Sequence, residues 1–204
     1  RLREEGITNT PGMIRTGELI GREIEGALDL DYFTSTCNDW PSTTLSSTNE
    51  TVGSTGKGTV NQTGGDHAVT VDLILGQSPG SFGVPKSNGT FSVSGSSTTM
   101  SAATLYAGYS GYGTLNVNSG GAVSTTYNGY LGLNGSGQGT VTVGGTGSSS
   151  WNLGADLYIG GSTTVSGGKG TLTVNSGGTV NAASLKLWNG NSNVTTGATN
   201  STAA

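Results

Sequence analysis

The chain has 204 residues, of which 31% are hydrophobic, 10% are charged and 38 are glycine, a core content too lean for an ordinary layered domain. A net charge of −4 with no basic cluster gives no electrostatic footing for nucleic acid or an anionic membrane surface. Scarce charge combined with apolar alternation also separates the chain from disordered sequences, which carry high charge and no period.

Residues 1–52 hold nine of the twelve acids and four of the eight bases; the remainder holds Asp66, Asp72 and Asp156 against four lysines. That break divides the chain into an acidic cap or docking segment (1–52), Gly/Ser/Thr-rich repeats (53–190) and a polar tail (191–204). In the first segment Ile14, Ile20, Ile24 and Leu28 recur at helical spacing, opposite Arg15, Glu18, Arg22 and Glu25, which predicts a helix over 13–30. Gly17, Gly21 and Gly26 each weaken it by roughly 1 kcal/mol relative to Ala. It therefore needs a surface, either the end of its own repeats or a neighbouring subunit. The lone Cys37 cannot form an internal disulfide and leaves the redox compartment unread. The chain opens at Arg1 without a leader pattern and lacks an apolar run of membrane-spanning length, so no direct membrane insertion is expected.

From Gly58 a repeat appears five times. Its openings are Gly58-Thr59, Gly89-Thr90, Gly113-Thr114, Gly139-Thr140 and Gly170-Thr171, at separations of 31, 24, 26 and 31 residues. Each leads into an alternating strand, as in Leu115-Asn116-Val117, and then to a second triplet: Leu73–Leu75, Leu105–Ala107, Gly129–Leu131, Leu157–Ile159 or Leu185–Leu187. Turns such as Asn118-Ser119-Gly120-Gly121 and Asn175-Ser176-Gly177-Gly178 supply corners between them. Stacking the units in register puts Val60, Phe91, Leu115, Val141 and Leu172 in one inward column and Gln62, Val93, Val117, Val143 and Val174 in the next. The expected fold is a right-handed parallel β-solenoid of about five units, in which each rung buries its neighbours' faces and stability accumulates rung by rung. The alternative reads Asn-Ser-Gly-Gly as a hairpin loop and gives an antiparallel β-sandwich. After Trp188 the pattern decays, and a tail with Val194 as its one large apolar residue is expected to be loose unless a neighbouring molecule holds it.

The segments Gly-Tyr-Gly-Thr-Leu-Asn-Val-Asn-Ser-Gly-Gly (111–121) and Gly-Lys-Gly-Thr-Leu-Thr-Val-Asn-Ser-Gly-Gly (168–178) resemble the repeats of bacterial autotransporter passenger domains and of exported proteins with a PEP-CTERM sorting tail. The resemblance covers residues 56–190. It implies export and a place at the cell surface or outside the cell, and it implies no activity, because passengers on this scaffold include adhesins, enzymes and stalks. Neither a membrane-barrel domain nor a sorting tail follows within these residues.

Glycan lyases and hydrolases need ionisable groups converging on one bond. The repeats contain no Glu, and Asp72 and Asp156 occupy comparable places in the first and fourth units, so they read as solvated turn residues several rungs apart. His67, the single histidine, follows Asp66 after Gly64-Gly65 and reads as a surface turn. One Cys and one His do not close a zinc site, and the calcium nonapeptide is absent. No catalytic residue, metal or cofactor is expected. One constellation remains. The middle residues of the second triplets point outward, giving a column of Ile74, Tyr106, Tyr130, Tyr158 and Lys186, with Tyr109, Tyr112, Tyr127 and Trp188 nearby in sequence. Tyr106, Tyr130, Tyr158, Lys186 and Trp188 are the candidate ligand or subunit contacts; the plainer reading of the column is a self-stacking ladder that stiffens the rungs.

The leading expectation is a non-enzymatic extracellular structural protein that assembles with copies of itself into a fibre or surface layer. The alternative is an adhesin gripping polysaccharide or cell-surface glycan through the tyrosines; a glycan-active enzyme or a phage fibre comes third.

Overall fold

In the computed structural model the described residues are 44–188 and 192–197, with the backbone of further strands at 23–30, 34–37 and 202–203. In chain order the strands are β1 (Glu23–Leu30), β2 (Thr34–Cys37), β3 (Thr44–Val52), β4 (Lys57–Gln62), β5 (Asp66–Leu75), β6 (Asn88–Ser94), β7 (Thr99–Ala107), β8 (Tyr112–Asn118) and β9 (Ala122–Thr125). There follow β10 (Gly129–Leu131), β11 (Gln138–Val143), β12 (Ser149–Leu153), β13 (Leu157–Ile159), β14 (Lys169–Val174), β15 (Gly178–Asn181), β16 (Leu185–Leu187), β17 (Asn193–Thr196) and β18 (Thr202–Ala203). The Gly-Thr strands stack as β2-β4-β6-β8-β11-β14-β17. The second sheet runs β1-β3-β5-β7-β9-β12-β15-β18, and β10, β13 and β16 continue the half of β7 that β9 does not pair. Every ladder is parallel, so the fold is a parallel β-solenoid of about five turns.

Each turn has three straight segments. The long strands β5 and β7 break register between Val69 and Asp72, and in later turns the break widens into a gap between two strands, as between β9 and β10. The antiparallel sandwich does not form. At the Asn118–Gly121 corner, Gly121 N donates to Asn118 O (2.9 Å) and both Ser119 and Gly120 take positive φ (53° and 88°), yet β9 pairs β7 and β12, never β8. With four residues, β9 finds better partners in equally short segments directly above and below it.

Register places the two expected inward columns as read: Val60, Phe91, Leu115, Val141 and Leu172 align, as do Gln62, Val93, Val117, Val143 and Val174, and all are buried. The Gly of each Gly-Thr opening has a steric origin. A Cβ at Gly139 would fall on the Ala107 carbonyl and crowd the Gly132 amide, and one at Gly113 would fall on the Gly108 amide. Here the incoming strand crosses the corner of its neighbours with backbone against backbone.

The helix expected over 13–30 is not supported. Residues 23–30 form β1, parallel to β3; residues 13–22 lie outside the described residues. The same side chains carry both signals, because Ile24 and Leu28 are four apart and therefore fit a helical turn and an every-second-residue strand equally well. Leu30 extends the strand pattern, and three glycines weaken the helix. The ladders thus run past both expected boundaries, 53 and 190. At the far end β17 pairs β14, and Val194, in register with Leu172, packs against the core. What holds this part of the tail is the chain's own last rung.

Candidate functional site

The outward column forms in register: Thr51, Ile74, Tyr106, Tyr130, Tyr158 and Lys186 are successive partners. Tyr106 and Tyr130 stack with ring centroids 5.1 Å apart and 8° between planes, and Tyr130 and Tyr158 stack at 5.2 Å and 13°. Tyr109 adds an edge contact to Tyr106 at 5.5 Å. Lys186 lies over Trp188, Nζ 4.0 Å from the ring centroid, and donates to Thr163 O (3.0 Å); Trp188 Nε1 donates to Ser162 O (2.8 Å). Tyr112 instead sits on the Gly-Thr sheet beneath Lys86, and Tyr127 stands 60% exposed.

A second outward row runs beside the first, two residues earlier in each strand: Asp72, Thr104, Asn128, Asp156 and Ser184. It holds the tyrosine hydroxyls. Asn128 Nδ2 donates to Tyr130 Oη (3.0 Å), Tyr158 Oη donates to Asp156 Oδ2 (2.9 Å), and Thr104 bonds Tyr106. Ser184 Oγ donates to Asp156 Oδ1 (2.8 Å) and the Asp156 amide to Asn128 Oδ1 (3.0 Å). The hydrogen bonds from Ser184 and then Tyr158 lower the Asp156 pKa, and the same Asp156 contact raises that of Tyr158. Burial, and then the charge of Asp72, push Tyr106 up to about 12. The rings therefore turn their faces to one another and bind their hydroxyls to the neighbouring row.

Asp72 and Asp156 share that row three rungs apart, about 14 Å at the spacing of parallel strands. This exceeds the separation at which two carboxyls act on one glycosidic bond.

The reading of His67 as a surface turn is corrected. Its side chain is 3% exposed, Nε2 lies 2.6 Å from Oε2 of the fully buried Glu50, and the ring packs on Phe91 at 5.2 Å. Because β5 starts at Asp66, His67 falls on the inward side, in the column of Met100, Val123, Trp151 and Val180. Glu50 lies in the column of Leu73 and Leu105, and its Oε1 has no hydrogen-bond partner. The pair spans the interior between two segments of successive rungs. Sequence reasoning set Glu50 aside in the acidic front; the signal it missed is Glu50-Thr51-Val52-Gly53, one more triplet closed by a glycine of positive φ (71°).

Neither a protein-family model, nor a curated protein, nor a solved structure matches this chain significantly.

Proposed function

We propose that this chain is a non-enzymatic structural element of an extracellular or cell-surface protein, a rigid right-handed solenoid that assembles with its own copies into a fibre or layer. The right-handed winding follows the rule for parallel crossovers, and export follows the resemblance to autotransporter passengers and PEP-CTERM-type proteins. One observation carries the assembly reading. Among the described strands β16 pairs β13 alone, and Leu185 and Leu187 stand 43% and 49% exposed at the end of columns in which Leu157 and Ile159 are buried. An open edge backed by apolar side chains is a template for another strand. The glycan-binding reading is the weaker one on this geometry, because stacked rings offer a sugar their edges and not their faces.

Negative-stain electron microscopy and light scattering across a concentration series test the proposal. Filaments or large oligomers that grow with concentration are the expected result; single short rods at every concentration refute it and move attention to glycan binding.

A further inference from the structure

We infer that the interior carries a key that fixes which rung stacks on which. Two inward columns lie on either side of the register break in the second sheet. One is Glu50, Leu73, Leu105, Gly129 and Leu157; the other is His67, Met100, Val123, Trp151 and Val180. Two contacts across the break are diagonal, joining the first column in one rung to the second column in the next. His67 Nε2 reaches Glu50 Oε2 at 2.6 Å, and the Trp151 ring covers Gly129, where a Cβ would lie 2.8 Å from Cζ2. The same diagonal assigns each junction its own pair: Glu50 with His67, Leu73 with Met100, Leu105 with Val123, Gly129 with Trp151, and Leu157 with Val180. One junction is keyed by charge and one by size.

The Gly-Thr strands offer no such distinction. Residues 111–121 and 168–178 differ at two of eleven positions, and misassembly among like units is a characteristic failure of repeat chains. The two keyed junctions penalise it. With the rung of β4 and β5 passed over, β3 would lie on β7, and Glu50 would face Met100 as a buried carboxylate without a partner. With the rung of β11 to β13 passed over, Gly129 would face Val180 across a void; Trp151 laid over a leucine would be overpacked instead. A buried pair that stability alone does not favour thus specifies neighbours. A skipped chain forfeits one rung of burial in any background, so the key acts during folding, when partners are selected.

The test refolds dilute chains from urea under oxidising conditions in a Cys37→Ser background, with one of two reporter pairs. Ser46→Cys with Ser101→Cys and Thr114→Cys with Thr171→Cys each flank one intervening rung. Positions two rungs apart are separated by about 9.6 Å, beyond disulfide reach, and come within it only when that rung is skipped. Both reporters are expected to stay reduced in the otherwise native chain. Glu50→Leu with His67→Met should raise the internal disulfide of the first reporter at least about fivefold, and Gly129→Leu with Trp151→Val that of the second. Each should leave the other reporter unchanged, which a general loss of stability would not do. No rise in either background, or an equal rise at both reporters, overturns the inference. Where a double variant does not regain the native circular dichroism, Glu50→Gln or Trp151→Phe takes its place under the same criterion.

Discussion

Replacing Glu50 by Ala leaves the His67 imidazole in the interior without its carboxylate, because His67 is 3% exposed and its Nε2 makes its contact with Glu50 at 2.6 Å. Removing one member of a buried pair costs about 3–5 kcal/mol. For a chain of this length that corresponds to a fall in Tm of roughly 6–20 °C. The columns also name the repair. Elsewhere the Glu50 position is Leu (Leu73, Leu105) and the His67 position is Met100, so Glu50→Leu with His67→Met makes the first rungs like the second. A buried pair replaced by apolar residues of similar volume is neutral to about 4 kcal/mol more stable; here the Glu50 Oε1 without a partner favours the stabilising end. Urea unfolding followed by far-ultraviolet circular dichroism at pH 7 measures both variants. The reasoning is refuted if Glu50→Ala costs less than about 1 kcal/mol, or if the double variant is no more stable than the single one.

Gly139→Ala drives a methyl group into the Ala107 carbonyl and should cost at least about 2 kcal/mol, whereas Gly135→Ala, with nothing within 4 Å of the new carbon, should leave the urea midpoint unchanged; equal midpoints for the two would sink the steric account of the repeat. Tyr130→Ala removes both ring contacts of the stack and should cost about 1–3 kcal/mol, against less than about 0.5 kcal/mol for the exposed Tyr127→Ala, compared by thermal melts. The Tyr106 pKa is raised from 10.0 to about 12 on folding, so the folded chain holds that proton more tightly: the stabilisation is complete below about pH 10 and is lost as the pH climbs to about 12. Tyr106→Phe should therefore flatten part of the fall in Tm over that window, and a fall parallel to that of the native chain would refute the assignment.

The fold was legible because its period is written in side chains that all read the same way. Val60, Phe91 and Leu115 fix an inward column by alternation alone, and the Gly-Thr openings fix the phase from one rung to the next, which also made the tyrosine column predictable. What escaped was every feature that depends on a third dimension or on the pattern being broken. Glu50 and His67 belong to different segments of different rungs, and only winding brings them together. Each also occupies a position where its register partners are apolar, so neither announces itself by composition. The stacking of the tyrosines over their polar row likewise depends on ring orientation, which spacing does not specify: outward placement is compatible with rings standing free or lying on one another. At the first strand, Ile24 and Leu28 carry a helical and a strand signal at once, and pairing with β3 decides between them.

Gly129 shows the same limit at a single position and leads to the last prediction. It interrupts a buried column that is Leu73, Leu105 and Leu157 in the neighbouring turns, a defect on sequence grounds. In the structure the vacancy is filled from the side: a Cβ at Gly129 would lie 2.8 Å from Trp151 Cζ2 and 2.8 Å from Leu153 Cδ2. Trp151, fully buried, stands in a column whose adjacent members are the smaller Val123 and Val180, and its Nε1 has no partner. Large and small residues have been exchanged between segments of two successive rungs, so that the volume lost in one is made up by the other. Gly129→Leu alone should overpack the interior and cost about 1–3 kcal/mol, and Trp151→Val alone should open a cavity costing about 3–5 kcal/mol. Together they recreate the pattern of the neighbouring turns and remove an indole N–H without a partner, so the double variant should be more stable than the sum of the two by at least about 1 kcal/mol. A double-mutant cycle in urea measures that coupling. Strict additivity would show that Gly129 is present for the backbone of its corner and not to admit the indole.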